Sequence, residues 1–366
     1  MKITDIVSFL EELAPPAYQE SYDNAGLIIG SMDQELTGTL ICLDSTEEVV
    51  QEAIEKGANL IIAHHPILFK GLKRLNGKNY VERTIIRAIK NDIAIYAIHT
   101  NLDNVRGGVN EMIADKLGLV PKTRRILMPK GGRLLKLESY VPIDHLARVL
   151  KALWDSGAGH IGRYDQCSFR LDGKGTYRPL YGADPFDGQI GERSEADETK
   201  LEVILPDALS SQVMQALRNA HPYEEVAYQL VRLENPYPDL GSGIIGELPE
   251  AIETKAFLQE VKKTMQAGVL KHTRICRDSV QKVAVLGGSG IFGLAAAKAS
   301  GADVFITSDI KYHEFFDAED RLILVDIGHY ESEQYTQELL QGLLAEKFPN
   351  FAHLLTGVRT NPVNYL

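Results

Sequence analysis

The sequence is short of the features that mark several functional classes. Its 366 residues hold three cysteines, Cys42, Cys167 and Cys276, odd in number and too far apart for zinc-finger spacing. A disulfide framework is therefore not expected, and a reducing, cytoplasmic setting is. Positive charge is in deficit: 39 lysines and arginines against 50 aspartates and glutamates leave a formal net charge of −11. Such a surface repels phosphate backbones, which argues against broad electrostatic binding of nucleic acid. No apolar run approaches the ~18 residues of a membrane-spanning helix. The opening stretch from Met1 to Pro16 carries Asp5, Glu11 and Glu12 in an amphipathic pattern, unlike a secretory leader. What remains is a chain that is 44% hydrophobic and 24% charged. That is the mix of a soluble protein with a large core, long enough for two or three domains.

Helical and strand patterns alternate at both ends of the chain. Near the start, the apolar runs Gly38 to Asp44, Asn59 to Ala63 and Ile93 to Ile98 read as buried strands. Helices are expected between and after them, one opened by a Ser45/Glu48 capping box, one near Val81 to Lys90 and one from Gly108 to Leu117. Continuous aliphatic strands separated by helices predict a mostly parallel sheet covered on both faces. Beyond a helix at about Thr254 to Met265, strands are expected at Lys282 to Leu286, Asp303 to Thr307 and Arg321 to Val325. A long last helix is expected from Tyr330 to Lys347. The recurrence of this scheme predicts two related α/β lobes. Between them, the order strand, helix, two strands, helix, strand is that of a ferredoxin-like α+β unit. The expected domains are residues 1–125, an insertion at 126–236, and residues 237–366.

Residues able to do chemistry gather at strand ends. His64-His65 follow the run LIIA directly, and the carboxyl end of a parallel strand is where α/β proteins bind ligands. His99-Thr100-Asn101-Leu102-Asp103 follow the next strand, and the two oxygens of Asp103 can bridge two cations. His99, nearer the strand, is expected to orient a ligand rather than be one. In His329-Tyr330-Glu331-Ser332-Glu333, His329 and Glu333 stand four apart and share one helical face, whereas Glu331 points elsewhere and favours the helix dipole. Taken singly, each has a plain alternative: loop histidines, a turn aspartate, a solvated first turn. Taken together, three imidazoles and two carboxylates are too many for a structural zinc, which takes four ligands and usually sulfur. They suit two divalent ions about 3.5–4 Å apart that acidify a water between them. The donor set admits zinc, iron, manganese or cobalt.

Five spaced segments also resemble the Nif-three-like family, whose bacterial members are often labelled GTP cyclohydrolase I type 2 homologues. They are Asp23-Asn24-Ala25-Gly26-Leu27, Ala63-His64-His65-Pro66, His99 to Asp103, Thr307-Ser308-Asp309-Ile310 and Gly328 to Glu333. The resemblance covers residues 1 to about 125 and about 240 to 366. It implies two related α/β lobes enclosing a dinuclear metal centre, in ring-shaped hexamers. Carried over by position, the metal ligands are His64, His65, Asp103 as bridge, His329 and Glu333. The ions implied are two divalent metals, zinc foremost, with iron or manganese as alternatives. The insertion resembles a PII/CutA-like domain, recognisable at His221-Pro222-Tyr223-Glu224-Glu225.

Two weaker features are expected to be structural. Gly287-Gly288-Ser289-Gly290 lacks the Lys-Ser/Thr of a phosphate-binding loop and reads as a tight strand-to-helix turn. Lys122, Arg124, Arg125, Lys130 and Arg133 form a basic cluster without the interleaved aromatics of a nucleic-acid surface. Asp309, Lys311 and His313 are expected to line the pocket. Two functions follow: a metal-dependent hydrolase of a nucleotide or other phosphorylated small molecule, or a non-enzymatic metal-binding scaffold or regulator whose insertion senses a small ligand.

Overall fold

The computed structural model describes residues 1–131, 133–162 and 164–366. The chain divides into two compact units, one of Met1–Met128 with Leu240–Leu366 and one of Pro129–Asp239.

The first unit is mixed α/β and carries two sheets. One has the strand order Gly26–Ile29, Ala94–Ala97, Leu60–Ala63, Thr39–Cys42, His353–Leu355. All its pairings are parallel except that of Gly26–Ile29. Every residue of the three central strands is buried, as uninterrupted aliphatic runs require when both faces are covered. The helices Glu47–Lys56 and Tyr80–Lys90 cover one face, packing Val49, Val50, Ala53, Ile85 and Ala88 onto Leu40, Ile61 and Ile95. The first of these helices is capped one residue later than the sequence pattern indicates. Thr46 Oγ1 accepts from the Val49 N–H, while Ser45 is buried.

The other sheet has the order Lys271–His272, Ile323–Asp326, Val304–Thr307, Ser279–Val285, Pro236–Glu253, Arg125–Gly131. Its three middle strands are parallel, and the strands on either side of them are antiparallel. Leu127, Ile245, Ala284, Phe305 and Leu324 pack in its core. The single long final helix is broken in two, His329–Glu333 and Thr336–Lys347. The break has a tertiary cause. Gln334 donates to the Met265 carbonyl and Tyr335 to the Thr264 carbonyl, tying both residues to the end of the helix Thr254–Thr264.

The second unit has one antiparallel sheet, ordered Phe169–Tyr177, Ser194–Pro206, Leu134–Pro142, Tyr228–Leu233. The helices Leu146–Asp155 and Ser210–Ala220 cover one of its faces. Val149, Leu153, Val213 and Leu217 pack there against Leu137, Leu201 and Val203. Among the described residues, no helix is long and apolar enough to cross a membrane.

Candidate metal centre

His64 and His65 leave the first sheet at the end of a strand that is pinned beyond its last residue. The His64 and His65 amides donate to the carbonyls of Cys42 and Leu43. His99 lies two residues beyond the neighbouring strand Ala94–Ala97 and precedes a one-turn helix, Thr100–Asp103, which delivers Asp103 to the same end of the sheet. His329 and Glu333 come from the second sheet, on the short helix that follows Ile323–Asp326. The turn Gly287-Gly288 packs against that helix. Gly288 has φ +63°, and a Cβ there would stand 2.3 Å from Glu333 Oε1, so the turn leaves the room that the carboxylate occupies. The Gly287 amide donates to Asn110 Oδ1, the Gly288 amide to Ser332 Oγ and the Gly290 amide to Thr307 Oγ1. This glycine loop thus spends these amides inside the protein, as a structural turn does.

Four imidazoles are each fixed through Nδ1. His64 bonds the Ile98 carbonyl at 2.8 Å, His65 Asp44 Oδ1 at 2.8 Å, His99 Asp23 Oδ1 at 2.7 Å and His329 Asp309 Oδ2 at 2.7 Å. An Nδ1 that donates to a carbonyl or carboxylate leaves Nε2 as the ring's free donor atom, the usual support of a metal-binding histidine. The free atoms converge. Glu333 Oε2 lies 2.9 Å from His65 Nε2 and 3.2 Å from His329 Nε2, and those two nitrogens are 3.4 Å apart. Glu333 Oε1 lies 3.8 Å from His64 Nε2, which is 3.7 Å from Asp103 Oδ1. Two trios result, His64/Asp103/Glu333 and His65/His329/Glu333, each with ligand atoms within 4.8 Å of one another. His64, His65 and His99 form a third.

Protonation follows burial and these contacts. Burial holds the His64 imidazole below its ordinary value. Burial alone would lower His65 and His329 too. The Asp44 and Glu333 carboxylates instead lift His65 to about 10, and Glu333 with Asp309 lifts His329 to about 11. Burial, then the charge of Glu333, raises Asp103 well above the usual carboxylate range. Burial would also raise Glu333, but His329 and His65 hold it well below that range. Protons thus occupy the positions where cations would compensate the same carboxylates. Two atoms lack even that compensation: His64 Nε2 and Asp103 Oδ1 are buried without a hydrogen-bond partner. A buried lone pair facing a buried oxygen at 3.7 Å is costly unless something sits between them. The donor chemistry and the spacing both fit a divalent cation.

All five residues expected as ligands meet in this cluster. Asp103, expected as bridge, belongs to one trio, and Glu333 offers one oxygen to each. His99, expected only to orient a ligand, joins a trio of its own. Asp23 and Asp44 were missed as the groups that fix His99 and His65. Asp23 does stand in a recognisable segment, but Asp44 sits at a strand end with no local signal. Asp309 does hold His329, from a left-handed backbone (φ 57°) unusual for a residue other than glycine. Glu331 is buried rather than solvated and accepts from Asn361 Nδ2. Thr360 donates to Asp44, so the last residues also line the cleft of about 720 Å³ that holds the cluster.

Relatives carry the same architecture. A solved Bacillus cereus protein related to NIF3 superposes with a TM-score of 0.88 at 39% identity, covering 100% of this chain and 99% of that one. A solved Staphylococcus aureus protein does so with a TM-score of 0.77 at 31% identity over the same shares. A Halalkalibacterium halodurans protein named GTP cyclohydrolase 1 type 2 homolog is 39% identical over the full length of both chains. A Bacillus subtilis protein of the same name is 37% identical over 99% of this chain and 98% of its own. The family model described as Duf34/NIF3 (NGG1p interacting factor 3) matches residues 1–362, and the chain belongs to that family.

Proposed function

We propose that the protein is a dinuclear metal-dependent hydrolase acting on a nucleotide or another phosphorylated small molecule. The observation that carries this reading is the convergence of three Nδ1-anchored imidazoles and two carboxylates on atoms left without partners. In it, His64, His65, Asp103, His329 and Glu333 would hold the ions, with Glu333 the carboxylate that faces both trios. Two divalent ions there would supply Lewis acidity and a water acidic enough to act as nucleophile near neutral pH. Zinc suits the imidazole and carboxylate donors best, with iron or manganese as alternatives. The chain's own contribution is positional. Asp44, Asp309 and the Ile98 carbonyl keep each Nε2 aimed inward, and the buried Glu333 excludes bulk water from the inner side. The relatives' printed name favours a purine nucleotide as substrate.

The same reading takes residues 1–125 and 237–366 as related lobes and 126–236 as an inserted ferredoxin-like, PII/CutA-like domain, supported by its strand order. It takes the working form as a hexamer and the location as the cytoplasm. One observation favours the alternative, a non-enzymatic metal-binding scaffold or regulator. The cleft is also lined by Glu20, Asp44, Asp309, Asp326 and Glu331, which oppose an anionic substrate unless the metals offset them. The test is elemental analysis of unchelated protein together with a hydrolysis screen over nucleotides and phosphoesters. The wild type should carry about two ions per chain and turn over a phosphorylated compound. His329→Ala and Asp103→Asn should lose metal and hydrolysis with the fold intact. Full metal content in both variants overturns the site, and metal without turnover of any compound favours the scaffold.

A further inference from the structure

The second unit holds a cavity of about 690 Å³ on the open face of its sheet. The strand residues Tyr140, Leu171, Tyr177 and Glu198 line it from the face opposite Leu137 and Leu201, which pack under the helices. The segment after Tyr177, through Phe186, and the turn at Tyr223 complete the walls. At the floor is a carboxylate. Glu198 is only 8% exposed, and Tyr223 Oη donates to its Oε1 at 2.8 Å.

Lys174, Arg178 and Lys200 also line the cavity, but among the described residues no ion pair joins a cation to Glu198. Lys200, on the same strand, is held by Glu138 and Glu202, and Lys174 by Asp197. His221 donates from Nε2 to the Tyr140 carbonyl and accepts the Tyr223 N–H at Nδ1, which is the neutral tautomer. A carboxylate so deeply buried beside one hydroxyl is poorly compensated. The protein has also cleared space for it. A Cβ at Gly175 would stand 2.0 Å from Glu198 Oε2, and Gly173, directly across the ladder, has nothing within 4 Å of its own missing Cβ. Rings surround the acid: Tyr223 lies 5.9 Å from Phe186 and 6.4 Å from Tyr177, centroid to centroid. Aromatic faces around an uncompensated negative charge attract a cation with an apolar body and disfavour an anion.

We propose that this cavity is a binding site for a small organic cation, a protonated amine on an aromatic or apolar body, with Glu198 as counter-ion and Tyr177, Phe186 and Tyr223 around the body. The site stands apart from the metal centre and does not depend on the hydrolase reading. The test titrates full-length protein with phenethylamine, protonated at pH 7.5, and with two probes of similar size, 3-phenylpropionate and 2-phenylethanol, by calorimetry or saturation-transfer NMR. Phenethylammonium should bind saturably and the anion should not. Glu198→Gln should weaken binding about tenfold or more, the loss of one charged partner. Gly173→Val, which extends into open space on an ordinary strand backbone, should block the cavity and abolish binding. Circular dichroism and metal content per chain should match the wild type in both variants. Three probes bound alike, no phenethylammonium binding at millimolar concentration, or unchanged affinity in a folded Glu198→Gln variant each overturns the proposal.

Discussion

The two trios that share Glu333, His64/Asp103/Glu333 and His65/His329/Glu333, sit in different surroundings. In the inner one, the His64 side chain is wholly buried and locked to a backbone carbonyl, and both it and Asp103 have an atom without a partner. In the outer one, the His329 side chain is 39% exposed and anchored by Asp309, itself 49% exposed, and its donor atom already touches two neighbours. The inner position is prearranged around a wholly buried His64, with Asp103 at the wall of the cleft. The outer position faces the cleft, and its imidazoles carry protons that a cation must displace. On the dinuclear reading proposed above, the inner trio is expected to retain its ion and the outer one to exchange it. That division rests on burial and on the donor set, since the inner trio has Asp103 where the outer one has a second imidazole.

The sharpest way to break this comparison is to remove the shared carboxylate. Glu333→Gln should take metal content from about two ions per chain to near zero, read by elemental analysis of unchelated protein. The single-sided variants should then separate. His64→Ala should lose the tightly held ion, and His329→Ala the one that dialysis against a weak chelator removes first. Loss of both ions at once in His329→Ala would erase the distinction.

A smaller effect is expected where the geometry is disturbed without loss of a donor. Gly288→Ala places a Cβ 2.3 Å from Glu333 Oε1 at φ +63°, which must move the carboxylate. Metal affinity should fall roughly tenfold to a hundredfold, the range for a lost supporting contact, measured by competition with a chromogenic chelator. An unchanged affinity would mean that Glu333 does not span the two positions as drawn.

The smallest effect concerns His99, beside both trios. Burial would raise Asp23, but hydrogen bonds from His99 and Thr100 and from the Asn24 amide hold it at about 2. A carboxyl depressed below its unfolded value of about 3.8 adds stability that is fully present above pH 3.8 and is lost as pH falls through 2. Asp23→Asn should cost about 2 kcal/mol at pH 7 in the chelated protein, by denaturant unfolding. The gap from the wild type should narrow steadily below pH 4.

Much of the site was legible in the chain before any coordinates. LIIA before His64-His65, the His99-to-Asp103 run and the i, i+4 pair His329/Glu333 are local patterns, and strand ends point where ligands bind in α/β sheets. Less visible was everything that depends on distant partners. Asp44 and His65 sit 21 residues apart and meet only because their strands are adjacent. His353–Leu355 looks unremarkable as sequence, yet it closes the first sheet beside Thr39–Cys42. The break before Thr336 answers to the Thr264 and Met265 carbonyls, which no window around residue 335 contains.

By itself, then, the sequence determined which residues carry metal-ligating donor atoms and that buried parallel strands lead to them, because donor chemistry and hydrophobic periodicity are properties of short segments. Only the tertiary structure decided which carboxylate faces both trios, which imidazole is dry, and which acid in the second unit lacks a cation. Those are matters of distance and solvent access between segments up to 268 residues apart, and the local sequence carries no record of them.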